Sequence, residues 1–363
     1  MLLGEACSKC EYIAGIPLAP QTSELLHQVS LERGARATTA IEGNTLTEED
    51  VSKLARGELR LPPSKEYLGR EVQNILDACN EMLSVLSLEH RLPLDVDRLK
   101  VLNGYVLHGL PLNDDVVPGE IRTHEVGVAR YRGAPPRDCD YLLGRLCDWL
   151  NRMEIDLGHS PLALPIIRSI VAHLYLAWIH PFGDGNGRTA RLVEFQILIG
   201  SGVPSPAAHL LSNHYNETRS EYYRTLDRSS RARNGVIEFL MYALQGFVDG
   251  LSDQLLVIRR QILRDTWTNY VHSQFQDRKG FANSRRRNLV LDLSEVDGPV
   301  PSRNIRTLTP RLAEAYLNRT SKTITRDINV LKSMGLVRQT REGIEPTVDM
   351  MLAFPPVTDP TSE

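Results

Sequence analysis

HPFGDGNGRTAR, residues 180–191, is the stretch on which the reading of this chain turns. The segment before it, PLALPIIRSIVAHLYLAWI (161–179), has apolar residues on most faces, which predicts a buried helix. The segment after it, RLVEFQILIG (191–200), sets Leu192, Phe195 and Ile199 on one helical face. A short loop between two buried helices is rigidly mounted, and rigid mounting is what a catalytic constellation needs.

The loop's chemistry can be read residue by residue. Gly183, Gly185 and Gly187 let the backbone approach a ligand closely, and successive N–H groups in such a turn form an anion-binding nest. The following helix begins near Arg188, so its free N–H groups and dipole point at the loop. Arg188 and Arg191 share a helix face and lean back over the loop, two guanidinium forks suited to a polyphosphate. Asp184, the loop's one carboxylate, suits a magnesium ion that shares phosphate oxygens. His180 can accept a proton near neutral pH. Taken singly, each feature has a plain reading: a His-Pro helix stop, a glycine turn, solvated arginines in an electrostatically unfavourable first turn. Together in twelve residues they describe a phosphate site with a metal ligand and a general base.

The same stretch matches His-x-Phe-x-(Asp/Glu)-Gly-Asn-Gly-Arg-x-x-Arg at every fixed position, and the chain resembles the Fic family over roughly residues 25–250. The resemblance implies an all-helical core that transfers AMP from Mg-ATP to a Ser, Thr or Tyr hydroxyl of a target protein, and of itself, releasing pyrophosphate. It implies that His180 deprotonates the hydroxyl and that Asp184 binds Mg2+. Gly185, Asn186 and Gly187 would form the α-phosphate anion hole, with Thr189 among the ATP contacts. Arg188 and Arg191 would clamp the β- and γ-phosphates. A Lys in place of Gly187 marks the family's phosphotransferase branch; this chain keeps glycine, which favours AMP transfer.

Upstream, a helical pattern through Leu25, Leu26, Val29 and Leu31 ends in ATTAIEGNTLTEED (37–50). Gly43 can supply a left-handed cap, and Thr47 with Asp50 can start the next helix. A carboxylate at a helix C-terminus faces the negative end of the dipole, so Glu42 is misplaced unless solvated or paired with a cation. Thr38-x-x-x-Glu42-Gly43 resembles the family's inhibitory motif, (Ser/Thr)-x-x-x-Glu-(Gly/Asn). That resemblance implies that Glu42 pairs with Arg191 and fills the γ-phosphate space, from an inhibitory helix N-terminal to the core. In some relatives this Glu also assists removal of AMP, so a bifunctional AMPylase/deAMPylase is the alternative within the class.

Residues 56–65 read as a loop, and 66–88, 97–108 and 138–153 as helices. Between 111 and 140 helical periodicity stops, and the surroundings of Glu125 look extended. By the resemblance this is a β-hairpin flap: residues 125–129 dock the target by strand addition, and Val126, Gly127, Val128 and Ala129 lie over the nucleotide. Tyr222 and Tyr223 resemble the adenine-pocket pair, and Ser230 stands where some relatives carry an adenine-contacting Asn. A helix from 234 to about 264 closes the core.

From about residue 266 the composition changes. Residues 280–345 hold 12 Lys/Arg against 7 Asp/Glu, with Arg285-Arg286-Arg287 the densest run, although the whole chain's net charge is −3. Residues 309–317, 318–321 and 322–334 read as helix, turn and helix. Gly335 ends the second helix, and residues 336–344 follow as a two-stranded wing. This resembles a winged helix. Ser321, Lys322, Thr323, Thr325 and Arg326 would lie on its exposed side, where a DNA reader keeps its base contacts. The same scaffold also serves homodimerisation and target docking. A DNA-binding regulator with a nucleotide-sensing core is therefore the alternative from another class.

The 363 residues suffice for two domains. The N-terminus lacks a signal-peptide pattern, and the longest apolar stretch is interrupted by Arg168 and His173, which argues against a membrane span. Five cysteines fit a reducing cytoplasm, and the Cys7/Cys10 pair lacks the partners of a zinc site. The expected architecture is all-α with a small flap. Its parts are an extended N-terminal arm (1–20), an inhibitory helix region (21–60), a catalytic core (61–265), a winged-helix domain (266–354) and a disordered tail (355–363).

Overall fold

A computed structural model describes residues 1–89, 94–128, 131–157 and 160–352. The expected tail at 355–363 and flap residue Ala129 lie outside the described residues. The chain divides into two compact units, Met1–Leu256 and a second beginning at Val257.

In the first unit, α1 (Leu2–Gly15) replaces the extended arm expected at 1–20. Ala6, Cys7, Cys10 and Ile13 form a buried helical stripe of mostly small residues, whose weak apolar signal hid it. Pro20 does not extend an arm but opens α2 (Pro20–Ile41), at the position where its missing N–H costs nothing. Gly43 leaves α2 with φ +104. Helix α3 (Glu48–Ala55) starts with a complete capping box: Asp50 N–H donates to Thr47 Oγ1 (3.1 Å) and Thr47 N–H to Asp50 Oδ2 (3.0 Å). Next come α4 (Glu66–Glu89) and α5 (Val96–Leu107), then strands β1 (Gly127–Val128) and β2 (Tyr131–Arg132), paired antiparallel with Gly127 opposite Arg132. Helix α6 (Pro136–Asn151) leads to α7 (Ala163–Ile179) and α8 (Asn186–Gly200).

Helices α7 and α8 form the central pair, flanked by α5 and α6, with α2 and α4 packed nearby. Ile166, Ile170, Leu174, Leu198 and Val193 are completely buried. Polar residues inside α8 find partners: Gln196 accepts from Arg98 Nε (2.8 Å), and Glu194 from the Tyr215 hydroxyl (2.9 Å). Beyond them lie α9 (Ser205–Ala208), α10 (Leu210–Glu217), α11 (Arg219–Ser229) and α12 (Gly235–Gln274). The boundary expected at 265/266 falls inside α12, because helical apolar spacing continues through Ile258, Trp267 and Val271, all buried.

The second unit continues with α13 (Phe281–Leu293), α14 (Pro310–Ala315), α15 (Ser321–Ser333) and strands β3 (Val337–Gln339) and β4 (Ile344–Pro346). The strands pair antiparallel, Arg338 opposite Glu345, and Val300 exchanges both backbone hydrogen bonds with Ile344. Trp267, Leu289, Leu312, Tyr316, Leu331 and Ile344 fill its core. Asp327, on the inner side of α15, accepts from Arg285 Nε (2.7 Å), Arg286 Nε (2.8 Å) and the Tyr316 hydroxyl (3.1 Å). The densest basic run thus has two of its three arginines turned inward. Among the described residues, no helix is long and apolar enough to cross a membrane.

Candidate active site

The loop between α7 and α8 is held from several sides. His180 terminates α7 in the left-handed region (φ 51, ψ 58), a conformation a non-glycine residue adopts only when its surroundings enforce it. Arg122, which sequence reasoning missed, supplies that enforcement. It is buried, its Nε donates to the His180 carbonyl (2.8 Å), and its other nitrogens reach the carbonyls of His124 and Ala134. Its own N–H donates to the Pro181 carbonyl (3.0 Å), and Ile121 bridges Phe182. The flap is therefore fastened to the loop by one guanidinium and a strip of backbone. Val126 takes part through its carbonyl, which accepts from Gly133 N–H (3.2 Å). A Cβ on Gly133 would lie 3.0 Å from His180 Cβ, so glycine lets the flap close on the imidazole.

His180 Nδ1 lies 3.3 Å from the Ala177 carbonyl. A carbonyl only accepts, so Nδ1 carries the proton and the neutral ring keeps its lone pair on Nε2. Burial pushes the His180 pKa down, with Arg122 acting in the same direction, against the Ala177 carbonyl, Glu42 and Asp184; the net shift is downward. The imidazole is thus in its base form at neutral pH.

Gly185 (φ +75) caps α8, and a Cβ there would press on Val106 and Asn103 of α5. Asn103 Nδ2 donates to the Asp184 carbonyl (3.0 Å) and to Thr189 Oγ1 (3.3 Å). Thr189, expected among the ATP contacts, therefore faces α5. The Asn186 side chain is also committed, accepting Phe182 N–H (2.9 Å) and donating to the Phe182 carbonyl (2.8 Å). It shapes the turn, so its side chain is not free to meet a ligand. The helix's first hydrogen bond runs from Thr189 N–H to the Gly185 carbonyl (2.9 Å), so the N–H groups of Asn186, Gly187 and Arg188 have no partner within the helix, and no side chain caps them.

Arg191 is buried. Its Nε donates to Thr38 Oγ1 (2.6 Å), and its Nη2 to the Thr38 carbonyl (2.9 Å) and Glu42 Oε1 (2.6 Å). Burial alone would raise the Glu42 carboxyl; the Arg191 charge and hydrogen bond outweigh it and hold it below the usual range. A side chain at Gly187 would collide with the Glu42 carboxylate, which therefore stands directly before the N-terminus of α8. Arg188 Nη1 contacts Glu71 Oε1 (3.1 Å), Nη2 lies 3.5 Å from Asp184 Oδ1, and buried Nε has no hydrogen-bond partner among the described residues. Glu71 was not foreseen either; it sits one residue from the inward-facing Val72 and reads as a solvent position.

Asp184 keeps 54% of its side chain exposed, and its Oδ1 accepts Gly185 N–H at 2.5 Å. No group of three or more candidate metal ligands occurs among the described residues. One half-exposed carboxylate beside free N–H groups fits a magnesium ion that keeps its waters and shares phosphate oxygens, and would not fit an all-protein cage.

The tyrosine pair splits. Tyr222 turns into the core, its hydroxyl 2.9 Å from His173 Nε2 and its ring stacked on Tyr215 at 4.8 Å. Tyr223 alone reaches the end of α2, donating to the Ile41 carbonyl (3.3 Å). Ser230 is exposed at the end of α11, where its hydroxyl donates to the Asp227 carbonyl (2.9 Å). No described contact joins it to the loop, because a helix C-cap hydroxyl is satisfied by its own last turn. Gly127 and Val128 form the flap's first strand.

This geometry can be set beside known proteins. Residues 93–198 match the Fic/DOC family. The chain is 34% identical over 220 residues to protein adenylyltransferase fic-1 of Caenorhabditis elegans, a match covering 58% of this chain and 40% of that protein. It is 28% identical over 194 residues to protein adenylyltransferase Fic of Nematostella vectensis, covering 53% and 42%. The chain thus spans less than half the length of these relatives. Among solved structures, a Fic family protein from Desulfovibrio desulfuricans superimposes with a TM-score of 0.56 at 20% identity, over 94% of this chain and 91% of that one. A fragment of Fic-1 from C. elegans gives 0.55 at 24% identity, over 72% of each chain. The mostly helical fold with its small hairpin is the Fic fold.

Proposed function

We propose that this chain is a protein adenylyltransferase restrained by its own Glu42. The target hydroxyl attacks the α-phosphorus of ATP, the new O–P bond forms as the bond to the β-phosphate oxygen breaks, and pyrophosphate leaves. His180 Nε2 takes the hydroxyl proton. The N–H groups of Asn186, Gly187 and Arg188 hold the α-phosphate, and Arg188 and Arg191 hold the leaving phosphates. Magnesium, held by Asp184 and phosphate oxygens, would neutralise charge on the leaving group. The flap at 125–129 offers a strand edge to the target.

The observation that carries this reading is the 2.6 Å contact between Glu42 and Arg191 at the N-terminus of a helix whose first N–H groups are free. A carboxylate there occupies the place an ATP phosphate would take. ATP labelled in the α-phosphate tests it. His180→Ala should abolish transfer to protein, and Glu42→Gly should raise it, self-labelling included. Equal, weak labelling by wild type and Glu42→Gly while both bind ATP would sink the restraint.

One observation favours a second reading for the unit beginning at Val257. Helix α15 presents Ser321, Lys322, Thr325, Arg326, Asn329 and Ser333 to solvent or nearly so, with no carboxylate among them, because Asp327 faces inward. With its hairpin, this supports a winged helix that inserts α15 into the major groove of DNA. A pool of random-sequence duplexes should be shifted in a salt-dependent way, and Lys322→Ala with Arg326→Ala should lose the shift. No shift at low salt would leave docking or dimerisation for this surface.

A further inference from the structure

Glu71 of α4 stands between two parts of the site that the resemblance does not connect. Its Oε1 faces Arg188 Nη1 (3.1 Å), and its Oε2 accepts from Asn44 Nδ2 (2.9 Å). Asn44 belongs to the turn that ends α2, two residues beyond Glu42. That turn is a single braced piece: Gly43 N–H donates to Ala40 (3.0 Å), Asn44 N–H to Thr39 (3.2 Å), and Leu46 N–H to Asn44 Oδ1 (3.0 Å). Both motif arginines are thus held by carboxylates, Arg191 by Glu42 and Arg188 by Glu71, and the same turn touches both carboxylates.

We propose that Glu71 is a second inhibitory carboxylate, withholding Arg188 from an incoming triphosphate and linking its release, through Asn44, to the departure of Glu42. This rests on the nucleotide reading above. A buried guanidinium requires a counter-charge when no nucleotide is present, and Glu71 is the nearer of the two carboxylates beside Arg188. A triphosphate brings its own oxygens for both arginines, so each carboxylate competes with it for the same nitrogens. Withdrawal of Glu42 requires the turn at 42–44 to move. That movement draws Asn44 from Glu71, which loses a hydrogen bond that fixes it against Arg188. Two latches on one hinge release together, which makes the closed state's hold steeper than either contact alone.

A pure positioning role for Glu71, orienting Arg188 for phosphates, predicts the opposite sign. Mg-ATP titration calorimetry on the full chain separates the two, using wild type, Glu71→Gln, Glu42→Gly and the double variant. Glu71→Gln should tighten Mg-ATP binding by about five-fold, roughly one ion pair's worth of competition removed. Glu42→Gly should tighten it more, and the double variant by less than the product of the two. Weaker binding on adding Glu71→Gln to Glu42→Gly overturns the proposal, and so does full multiplicativity. Hydrogen exchange without nucleotide gives a second arm. Glu71→Ala, which deletes both contacts, should speed exchange at Gly43–Leu46, and unchanged exchange overturns the link. If none of the four proteins binds Mg-ATP, the nucleotide reading itself falls, while the exchange arm still reports on the tie between Glu71 and the turn.

Discussion

One pair of arginines in each unit is held against carboxylates in its own way, and the two pairs differ in what surrounds the acid. In the second unit, Asp327 keeps 1% of its side chain exposed and accepts from Arg285, Arg286 and the Tyr316 hydroxyl. In the first unit it is the arginines that are buried, Arg191 at 1% and Arg188 at 6% exposure, while Glu42 keeps 33% and Glu71 17%. A sealed acid cannot leave without exposing the core, so Asp327 is a fixed joint even though Arg285 and Arg286 keep 10% and 17% of their side chains exposed. A buried cation whose anion sits at the rim can exchange that anion for another. Electrostatic contact alone therefore does not distinguish a brace from a switch; the side on which water reaches the pair does.

The largest expected effect tests the brace. Asp327→Ala strands two partly buried guanidinium groups and should cost about 3–5 kcal/mol of the second unit's stability. Hydrogen exchange across 302–351 should rise accordingly, with exchange in 163–200 unchanged. A cost below about 1 kcal/mol would show that Asp327 is no more committed than an exposed pair.

A smaller effect tests the switch. Glu42→Gly leaves Arg191 its two Thr38 contacts and a path to water, so the first unit should lose about 1–2 kcal/mol. Mg-ATP should then raise the thermal midpoint of Glu42→Gly more than that of wild type, because nucleotide replaces the missing anion. For Asp327→Asn, Mg-ATP should produce the wild-type shift and leave exchange at 302–351 as fast as without it. A nucleotide that rescued the second unit would erase the contrast.

What the sequence made legible follows the same division. The motif loop could be read because its residues act within twelve positions, where spacing and helix geometry determine what can meet. The central helices could be read because their apolar residues crowd every face. Arg122, Glu71 and Asn103 could not, since each becomes informative only through a partner brought near by folding: Arg122 acts on residue 180, and Asn103 on residues 184 and 189. Helix α1 was missed because its inner face is Ala6, Cys7, Cys10 and Ile13, a stripe too small to register against two nearby prolines. The inward turn of Arg285 and Arg286 could not be read either, because charge density along a chain says nothing about which side of a helix meets a buried Asp.

The smallest effect is a shift along the pH axis. Burial, with Arg122, holds the His180 imidazole below its ordinary 6.5, while Glu42 acts in the opposite direction. The acid limb of labelling by Glu42→Gly should therefore have its midpoint below 6.5, since the base form persists until pH falls through the depressed value. Deleting Glu42 removes one of the charges that favour the protonated ring, so the limb moves further down. The latch responds differently. Glu42 is held below its ordinary 4.5, so its pairing with Arg191 is fully present above that value and is lost only as pH falls through the lower one. Acidification from 8 to 5.5 thus leaves the latch closed, and wild type should stay restrained across that range. If wild-type labelling rose toward Glu42→Gly levels on mild acidification, the carboxylate at 42 would be titrating where its buried cationic partner should forbid it, and the rim-anion account of the switch would fail.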